Sequence, residues 1–327
     1  MIQHDRELSF EYGVVQQVSP LIRRVVCRNP GVFTLMGTGT YLVGRGSVAV
    51  IDPGPGLAEH IDAINAALGA EEQISHVLVT HTHSDHSTAA PALASAHDAL
   101  TCGFGPHGDV AEHDLTDRVD FSSYFEPDEL NTLIAAYEDL DPALKFEGPD
   151  LEFVPEMVLS DGDVIEGDGW SIEAVWTPGH CSNHLCYSLR EESALFSGDH
   201  VMAWATTVVG PPDGSMAQYL ASLRKLSARG ERIYYPTHGP AVEDPAKYVL
   251  ALLAHREERE AQILSLLSDR PTGIEDIVPV LYASYDKQLW YPAAASVHAH
   301  LLGLVEDGKV TVDDDGPPKL SAQYRLS

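Results

Sequence analysis

The sequence predicts an α/β chain: two similar strand-and-helix halves packed sheet on sheet with helices outside, then a mostly helical C-terminal module. Three observations carry this. Short runs rich in Val, Ile and aromatic residues alternate with helical patterns through the first part of the chain. Regular strands resume after a looser acidic segment, and beyond Asp244 the pattern turns almost wholly helical. At 327 residues, 44% hydrophobic and 21% charged, the chain has material for one large domain plus a small appended module.

Strands are expected at VFTLM, TYLVG and SVAVIDPG, the last ending in the turn formers Asp52, Pro53 and Gly54. LAEHIDAINAALGA places Ile61, Ile64, Ala67 and Leu68 at helical spacing. ISHVLVT reads as a strand, STAAPALASAHD as a returning helix, and ALTCGF as the strand closing the first half. From Gly105 to about Glu156 the pattern loosens into an acidic insertion with one helix, PDELNTLIAAYEDL. Its aromatic group, Phe121, Tyr124 and Phe125, is expected as a lid over the site or as the insertion's own small core. DVIEG, WSIEAVWT, HLCYSLR and ALFSGD restore regular strands, and the helix MAQYLASLRKLSAR leads to the strand RIYYPTHG.

DPAKYVLALLAHREEREAQILSLLSD is long enough for a connecting helix. Helical runs GIEDIVPVLYAS and PAAASVHAHLLGLVEDG follow, then the short strands KVTVD and AQYRL, which together make a winged variant of the helix-turn-helix. The expected division is a strand-and-helix domain over residues 1–245, with the insertion at about 105–156, and a connecting helix with winged-helix module over 246–327.

Lys and Arg number 20 against 49 Asp and Glu, a formal net charge of -29 that opposes nucleic acid, anionic membranes and polyanionic substrates. No basic patch stands out along the chain. A nucleic-acid-reading winged helix is basic. Here the stretch from His255 to Ser327 holds seven Lys/Arg against twelve Asp/Glu, with Asp313, Asp314 and Asp315 on the wing. That module is therefore expected to pack beside the active site or to mediate contact in a homodimer. The stretch MIQHDRELSFEYG lacks the basic-then-apolar order of a secretory leader, and no apolar run approaches the ~20 residues of a membrane span. Cys27, Cys102, Cys181 and Cys186 form no CxxC pair, so a reduced, cytoplasmic protein is expected.

The densest chemistry is THTHSDHS, Thr80 to Ser87, at the exit of the run ISHVLV. Side chains alternate faces in extended chain, so His81 and His83 point the same way and can grip one ion. The following turn lets Asp85 and His86 reach a second position. A lone histidine here would read as a solvated loop residue; the run HTHSDH reads as metal binding. TPGH, FSGD and PTHG put His180, Asp199 and His238 at three further strand ends, which brings ligand-type side chains to one rim of the sheets.

In the order HTHSDH, TPGH, SGD, PTHG, the chain resembles the metallo-β-lactamase superfamily of metal-dependent hydrolases over about residues 30 to 240. The resemblance implies a four-layer αββα metallo-β-lactamase sandwich with a dinuclear site at one edge. It implies that His81, His83 and His180 hold a first metal, that Asp85, His86 and His238 hold a second, and that Asp199 bridges both. Two divalent ions suit these donors, zinc first, and would generate a bridging hydroxide to attack a carbonyl. Asp85 can also orient that nucleophile.

HREEREAQIL, with the helices and wing after it, resembles the winged-helix extension of one subgroup, which includes a metal-dependent endoribonuclease and carrier-protein thioesterases. TPGHCSNH, with His184, is similar to that subgroup's variant of the motif, although Cys181 stands where Ser or Thr is usual. Cys181 reads as a buried neutral thiol rather than a ligand. The implied activity is hydrolysis of a small, largely uncharged ester, lactone or thioester. The alternatives are an endoribonuclease, which the charge opposes, and a mononuclear iron dioxygenase of the persulfide type, which metal count separates. His200, beside Asp199, reads equally as a proton donor to the leaving group or as a solvent-facing loop residue. Trp204, Thr206 and Thr207 are candidate pocket residues, while His107 and His113 read as surface residues of the insertion.

Overall fold

A strand buried on both faces must send alternate side chains into two different cores, and the central strands here do so. In β3 (Gly39–Val43), Tyr41 and Val43 enter one core while Leu42 enters another. In β10 (Leu185–Leu189), Leu185, Tyr187 and Leu189 enter that first core and Cys186 a third. The shared core, with Ile51, Ile172 and Phe196 among its members, is the interior between two face-to-face sheets.

The computed structural model describes residues 2–108, 148–268, 270–313 and 318–327, with the isolated positions 119, 121, 124 and 128. Apart from Asp128, the segment PDELNTLIAAYEDL expected as a helix lies outside the described residues, as do Phe125, His113, Asp314 and Asp315.

The first sheet runs in the order β1 (Gln16–Gln17), β2 (Ile22–Val26), β3, β4 (Ser47–Ile51), β5 (Gln73–Leu78), β6 (Leu100–Gly103) and β7 (Met157–Val158). It is antiparallel as far as β4 and parallel from there on. The second sheet contains β8 (Val164–Gly167), β9 (Trp170–Trp176), β10, β11 (Ala194–Gly198) and β12 (Ile233–Pro236), with only the β11–β12 pair parallel. Helices α1 (Ala58–Ala66) and α3 (Ala90–His97) cover the first sheet through Ile64 and Leu93; the single turn α2 (Ser84–Ser87) precedes α3. Helices α4 (Met216–Ser227) and α5 (Pro245–Leu266) cover the second sheet through Tyr219, Leu223, Val249 and Leu252. Each such apolar side chain taken from water contributes about 1.5–3 kcal/mol, so the four layers hold one another in place.

Two expectations at the start of the chain change. VFTLM is not a strand: Leu35 takes a left-handed backbone (φ 54°) in a tight turn whose ends meet in a Gly31–Leu35 bridge. The strand lies earlier, in β2, where Arg23 and Arg24 broke the apolar pattern. Arg23 is buried because its guanidinium is neutralised by Glu72 at 2.6 Å and donates to the carbonyls of Ala67 and Gly44.

In the C-terminal module, α6 (Ile274–Leu281), α7 (Trp290–Glu306) and the small sheet β13 (Thr272–Gly273), β15 (Gln323–Leu326), β14 (Val310–Val312) share a core of Ile277, Val297, Leu301 and Tyr324. Phe121 is buried in this same core, with its ring 5.7 Å from Trp290 and 5.2 Å from Tyr291. Tyr124 stacks edge-on against Trp290 at 5.5 Å. These two insertion aromatics thus form neither a lid nor a separate core; they dock on the winged helix. Among the described residues, no helix is long and apolar enough to cross a membrane.

Candidate metal centre

Four strand exits deliver the expected residues to one place. Past β5 the chain stays extended through His83, which precedes the first turn of α2 with φ -76° and ψ 145°, and that turn carries Asp85 and His86. His180 lies in the loop after β9, Asp199 directly follows β11, and His238 follows β12. His81 Nε2 lies 2.9 Å from His83 Nδ1, which lies 3.1 Å from His180 Nε2. Asp85 Oδ2 is 3.1 Å from His238 Nε2 and 3.7 Å from His86 Nε2. Asp199 stands between the two groups. Its Oδ1 is 3.5 Å from His238 Nε2 and 3.7 Å from His86 Nε2, and its Oδ2 is 3.9 Å from His180 Nε2.

This arrangement fits divalent cations. Nε2 of His86, Nε2 of His238 and Oδ1 of Asp199 are buried without a hydrogen-bond partner, a costly state that an ion would relieve. Imidazole and carboxylate donors at mutual distances within 4.8 Å form three overlapping groups: His81, His83, His180 with Cys181; His81, His86, Asp199; and Asp85, His86, His238. The rings are held from behind. His180 Nδ1 meets the Val208 carbonyl at 2.6 Å, His238 Nδ1 the Gly37 carbonyl at 3.1 Å, and His86 Nδ1 the Asp52 carboxylate at 2.8 Å. Such contacts set the tautomer that leaves the other nitrogen free to bind.

Asp52 is a candidate positioning residue that sequence reading took only for a turn former. Buried at the end of β4, it also accepts from the backbone N–H and hydroxyl of Thr80 at 2.8 Å and from the Thr237 hydroxyl at 2.5 Å. One carboxylate therefore ties together the exits of β4, β5 and β12. The available signal was a charge closing the otherwise apolar run SVAVI.

Electrostatics agree with a cation site. Burial, then the neighbouring imidazoles, keep His81 well below the ordinary histidine range, and burial with His180 brings His83 down to about 3. Burial opposes ionisation of Asp85 and Asp199, yet His86 and His238 hold both below the usual carboxylate range. Burial likewise opposes charge on His86, but Asp85, Asp52 and Asp199 carry it well above its usual range. The cluster thus attracts positive charge, which a divalent ion supplies more fully than a proton.

The remaining candidates scatter. His200 is fully buried, with its ring 4.6 Å from that of Tyr219, and it does not line the cavity in front of the cluster. Burial, then His180 and Arg256, lower its pKa to about 3. It is not the solvent-facing loop residue that was one of its two expected readings. Cys181 lies with Sγ 3.5 Å from His83 Nε2, and burial raises its thiol well above the ordinary range, as expected of a neutral thiol. His184 supports Asp199 instead, its Nε2 accepting from the Asp199 N–H at 3.2 Å. Gly198 permits this: a Cβ there would lie 2.5 Å from His184 Nε2. Trp204, Thr206 and Thr207 do line the cavity. So does His107, contrary to its reading as a surface residue; its Nδ1 is 2.8 Å from the Thr82 hydroxyl.

The cavity holds about 580 Å³. His83, Asp85, His180 and Asp199 form one part of its wall, and Arg256, Arg259, Tyr282 and Tyr291 of α5 and the C-terminal module form another. The winged helix therefore packs beside the candidate centre, the first of its two expected roles.

A four-layer sandwich with its candidate metal-binding side chains gathered at strand exits defines a class, and the sequence comparison agrees with it. Residues 34–238 match the Metallo-beta-lactamase superfamily and residues 273–318 the Beta-lactamase associated winged helix domain, and the chain belongs to that superfamily. A relative named Atrochrysone carboxyl ACP thioesterase AacuM, from Aspergillus aculeatus, is 30% identical over 313 residues, 90% of this chain and 84% of that protein. Atrochrysone carboxyl ACP thioesterase dmxR1, from Cryptosporiopsis sp., is 31% identical over 255 residues, 77% of this chain; the match spans 65% of that relative's length. Among solved structures, a metallo-beta-lactamase family protein from Thermus thermophilus superposes with a TM-score of 0.69 at 22% identity, covering 95% of this chain and 100% of its own. A Beta-lactamase domain protein from Burkholderia ambifaria gives 0.72 at 20% identity, covering 96% and 94%. These structural likenesses bear on the fold alone.

Proposed function

We propose that this protein is a metal-dependent hydrolase of acyl thioesters or esters. In this reading His81, His83 and His180 would hold one divalent ion, Asp85, His86 and His238 would hold a second, and Asp199 would be shared between them. The observation that carries the reading is the meeting of these seven side chains at four strand exits, with His83, Asp85, His180 and Asp199 on the wall of one cavity and the buried Nε2 atoms of His86 and His238 and Oδ1 of Asp199 making no hydrogen bond. The thioester preference draws on the relatives named carboxyl ACP thioesterases. Zinc is the first choice for this donor set, and the free, buried cysteines fit a reducing compartment such as the cytoplasm.

When bound, the ions lower the pKa of a coordinated water toward neutrality and polarise the carbonyl. The chain's own residues do the rest. Asp85 faces the cavity and is placed to orient the attacking water. Water adds to the acyl carbon, the C–S or C–O bond breaks, and the proton passes to the departing thiol or alcohol. His200 lies outside this cavity, and the reading gives it no part in the chemistry. The acidic wing residue Asp313 and the net charge of -29 support acyl over RNA substrates.

Protein purified without chelators should carry close to two metal equivalents and hydrolyse members of an aryl ester, lactone and acyl thioester panel, while His83→Ala should lose both. Full activity with one stable equivalent would remove Asp199 from its bridging role. An inert acyl panel alongside efficient RNA cleavage at physiological salt would replace the reading with a nuclease.

A further inference from the structure

The cavity has a second charged region. Arg256 and Arg259 lie one turn apart on α5, are only 2% and 8% exposed, and both line the cavity. Arg256 donates through Nη2 to the Thr207 carbonyl and lies over the Tyr219 ring. Arg259 donates through Nη1 to the Leu281 carbonyl at 3.4 Å and lies 4.5 Å over the Tyr282 ring. Both Nε atoms lack an acceptor. Neither guanidinium has an ion pair with a carboxylate of the described residues. The acidic neighbours are committed elsewhere: Glu257 faces Arg224 at 3.8 Å, Glu260 faces Lys309 at 3.0 Å, and Glu258 is exposed and accepts from Gln262 at 3.5 Å.

Burying an unpaired cation is costly, and two adjacent ones more so. In a chain with 49 acidic residues internal neutralisation was available, yet no carboxylate of the described residues supplies it. A mobile anion that arrives with a ligand satisfies both groups, because guanidinium forks match carboxylate geometry. On the wall of the same cavity, Tyr282, Tyr285, Tyr291 and Trp204 supply aromatic surface suited to a flat apolar body. His255 and His300 add no competing charge. Burial, with Arg256 and Arg259 next, lowers them to about 4 and about 3.

We infer that Arg256 and Arg259 form an acid-recognising subsite: the substrate's acyl part carries a carboxylate on an apolar, aromatic-sized body. That carboxylate docks on the arginine pair while the scissile carbonyl reaches the histidine–aspartate cluster. This inference rests on the hydrolase reading and revises the expectation of an uncharged substrate. A phosphate on the leaving arm shares the chemistry, but groups this buried fit an anion on the enclosed acyl part better than one tethered to a carrier.

The test compares 4-carboxybenzoyl and 4-carbamoylbenzoyl thioesters of N-acetylcysteamine, with benzoyl thioesters of pantetheine and of 4′-phosphopantetheine as a second pair. The expected result is a preference for the carboxylate, in KM, of about ten-fold or more. It should collapse toward one in Arg259→Gln and be partly kept in Arg259→Lys. Calorimetry on metal-free protein should show 4-carbamoylbenzoate binding that terephthalamide does not match and that Arg259→Gln weakens about ten-fold. If Arg259→Gln fails to fold, Arg256→Lys is read the same way. Hydrolysis without a carboxylate preference, or one that survives Arg259→Gln undiminished, overturns the subsite and leaves the hydrolase standing. A preference for phosphopantetheine alone also overturns it, moving the anion to the leaving arm. Binding without hydrolysis of any thioester keeps the subsite and sinks the hydrolase.

Discussion

Asp52 combines two demands that ordinarily conflict. It sits in a left-handed backbone conformation (φ 49°) that most residues avoid, and its carboxylate gathers four donors around His86, Thr80 and Thr237. Asn tolerates the left-handed region nearly as well as Asp, so Asp52→Asn isolates the charge from the backbone. Partners behind a metal-binding histidine typically govern affinity by 10–100-fold. If two ions are bound as proposed, chelator competition should show Asp52→Asn losing one of them about 10–100-fold more readily while the other is held nearly as in the parent. Equal weakening of both ions would mean that Asp52 shapes the whole rim and not His86 in particular.

At the scale of elements, the site depends on close approaches between a loop and a helix. The loop carrying His180 lies backbone against backbone on α4, with Ser215 N donating to the Gly179 carbonyl at 2.9 Å and the Ser222 hydroxyl to the Pro178 carbonyl at 2.7 Å. A Cβ on Gly179, whose φ is 143°, would lie 2.3 Å from Tyr219 Cα. Helix backbone cannot yield as a flexible side chain can, so Gly179→Ala must displace either the loop or α4. Overpacking of this kind costs about 1–3 kcal/mol. Urea unfolding should show that loss, and elemental analysis should show reduced metal content, since His180 moves with the loop. A variant as stable and as metal-loaded as the parent would rule this contact out as the loop's anchor.

The molecule as a whole should weaken in mild acid before its carboxylates titrate. His60 is buried against the Thr40 hydroxyl at 2.8 Å with its other nitrogen unpartnered, and burial lowers its pKa to about 4. Unfolding returns it to about 6.5. Below that pH the unfolded chain takes up a proton that the folded chain refuses until about pH 4, so stability falls as pH drops across this window. His300, lowered to about 3, adds to the same trend. For His60 alone the loss between about pH 7 and about pH 5 is roughly 2 kcal/mol. Urea midpoints of metal-free protein should decline accordingly, and His60→Gln should flatten the slope. An unchanged slope in that variant would assign the acid sensitivity to other groups.

Period-two apolar runs and their turn residues determined most strands, and ligand-type side chains repeated at four strand exits determined the metal candidates, because both are local patterns. Where a charge interrupted the pattern, the sequence misled. Arg23 and Arg24 concealed β2, since only Glu72 and two distant carbonyls make Arg23 tolerable inside the fold. Along HREERE the charges nearly cancel, and no basic patch is visible. Helical geometry turns Arg256 and Arg259 inward, while Glu257 and Glu260 meet cations elsewhere. Which face of α5 met the cavity, and that Phe121 would join the winged-helix core, were decided by packing between segments far apart in the chain. Local periodicity selects the faces of an element; only the assembled tertiary structure selects what each face touches.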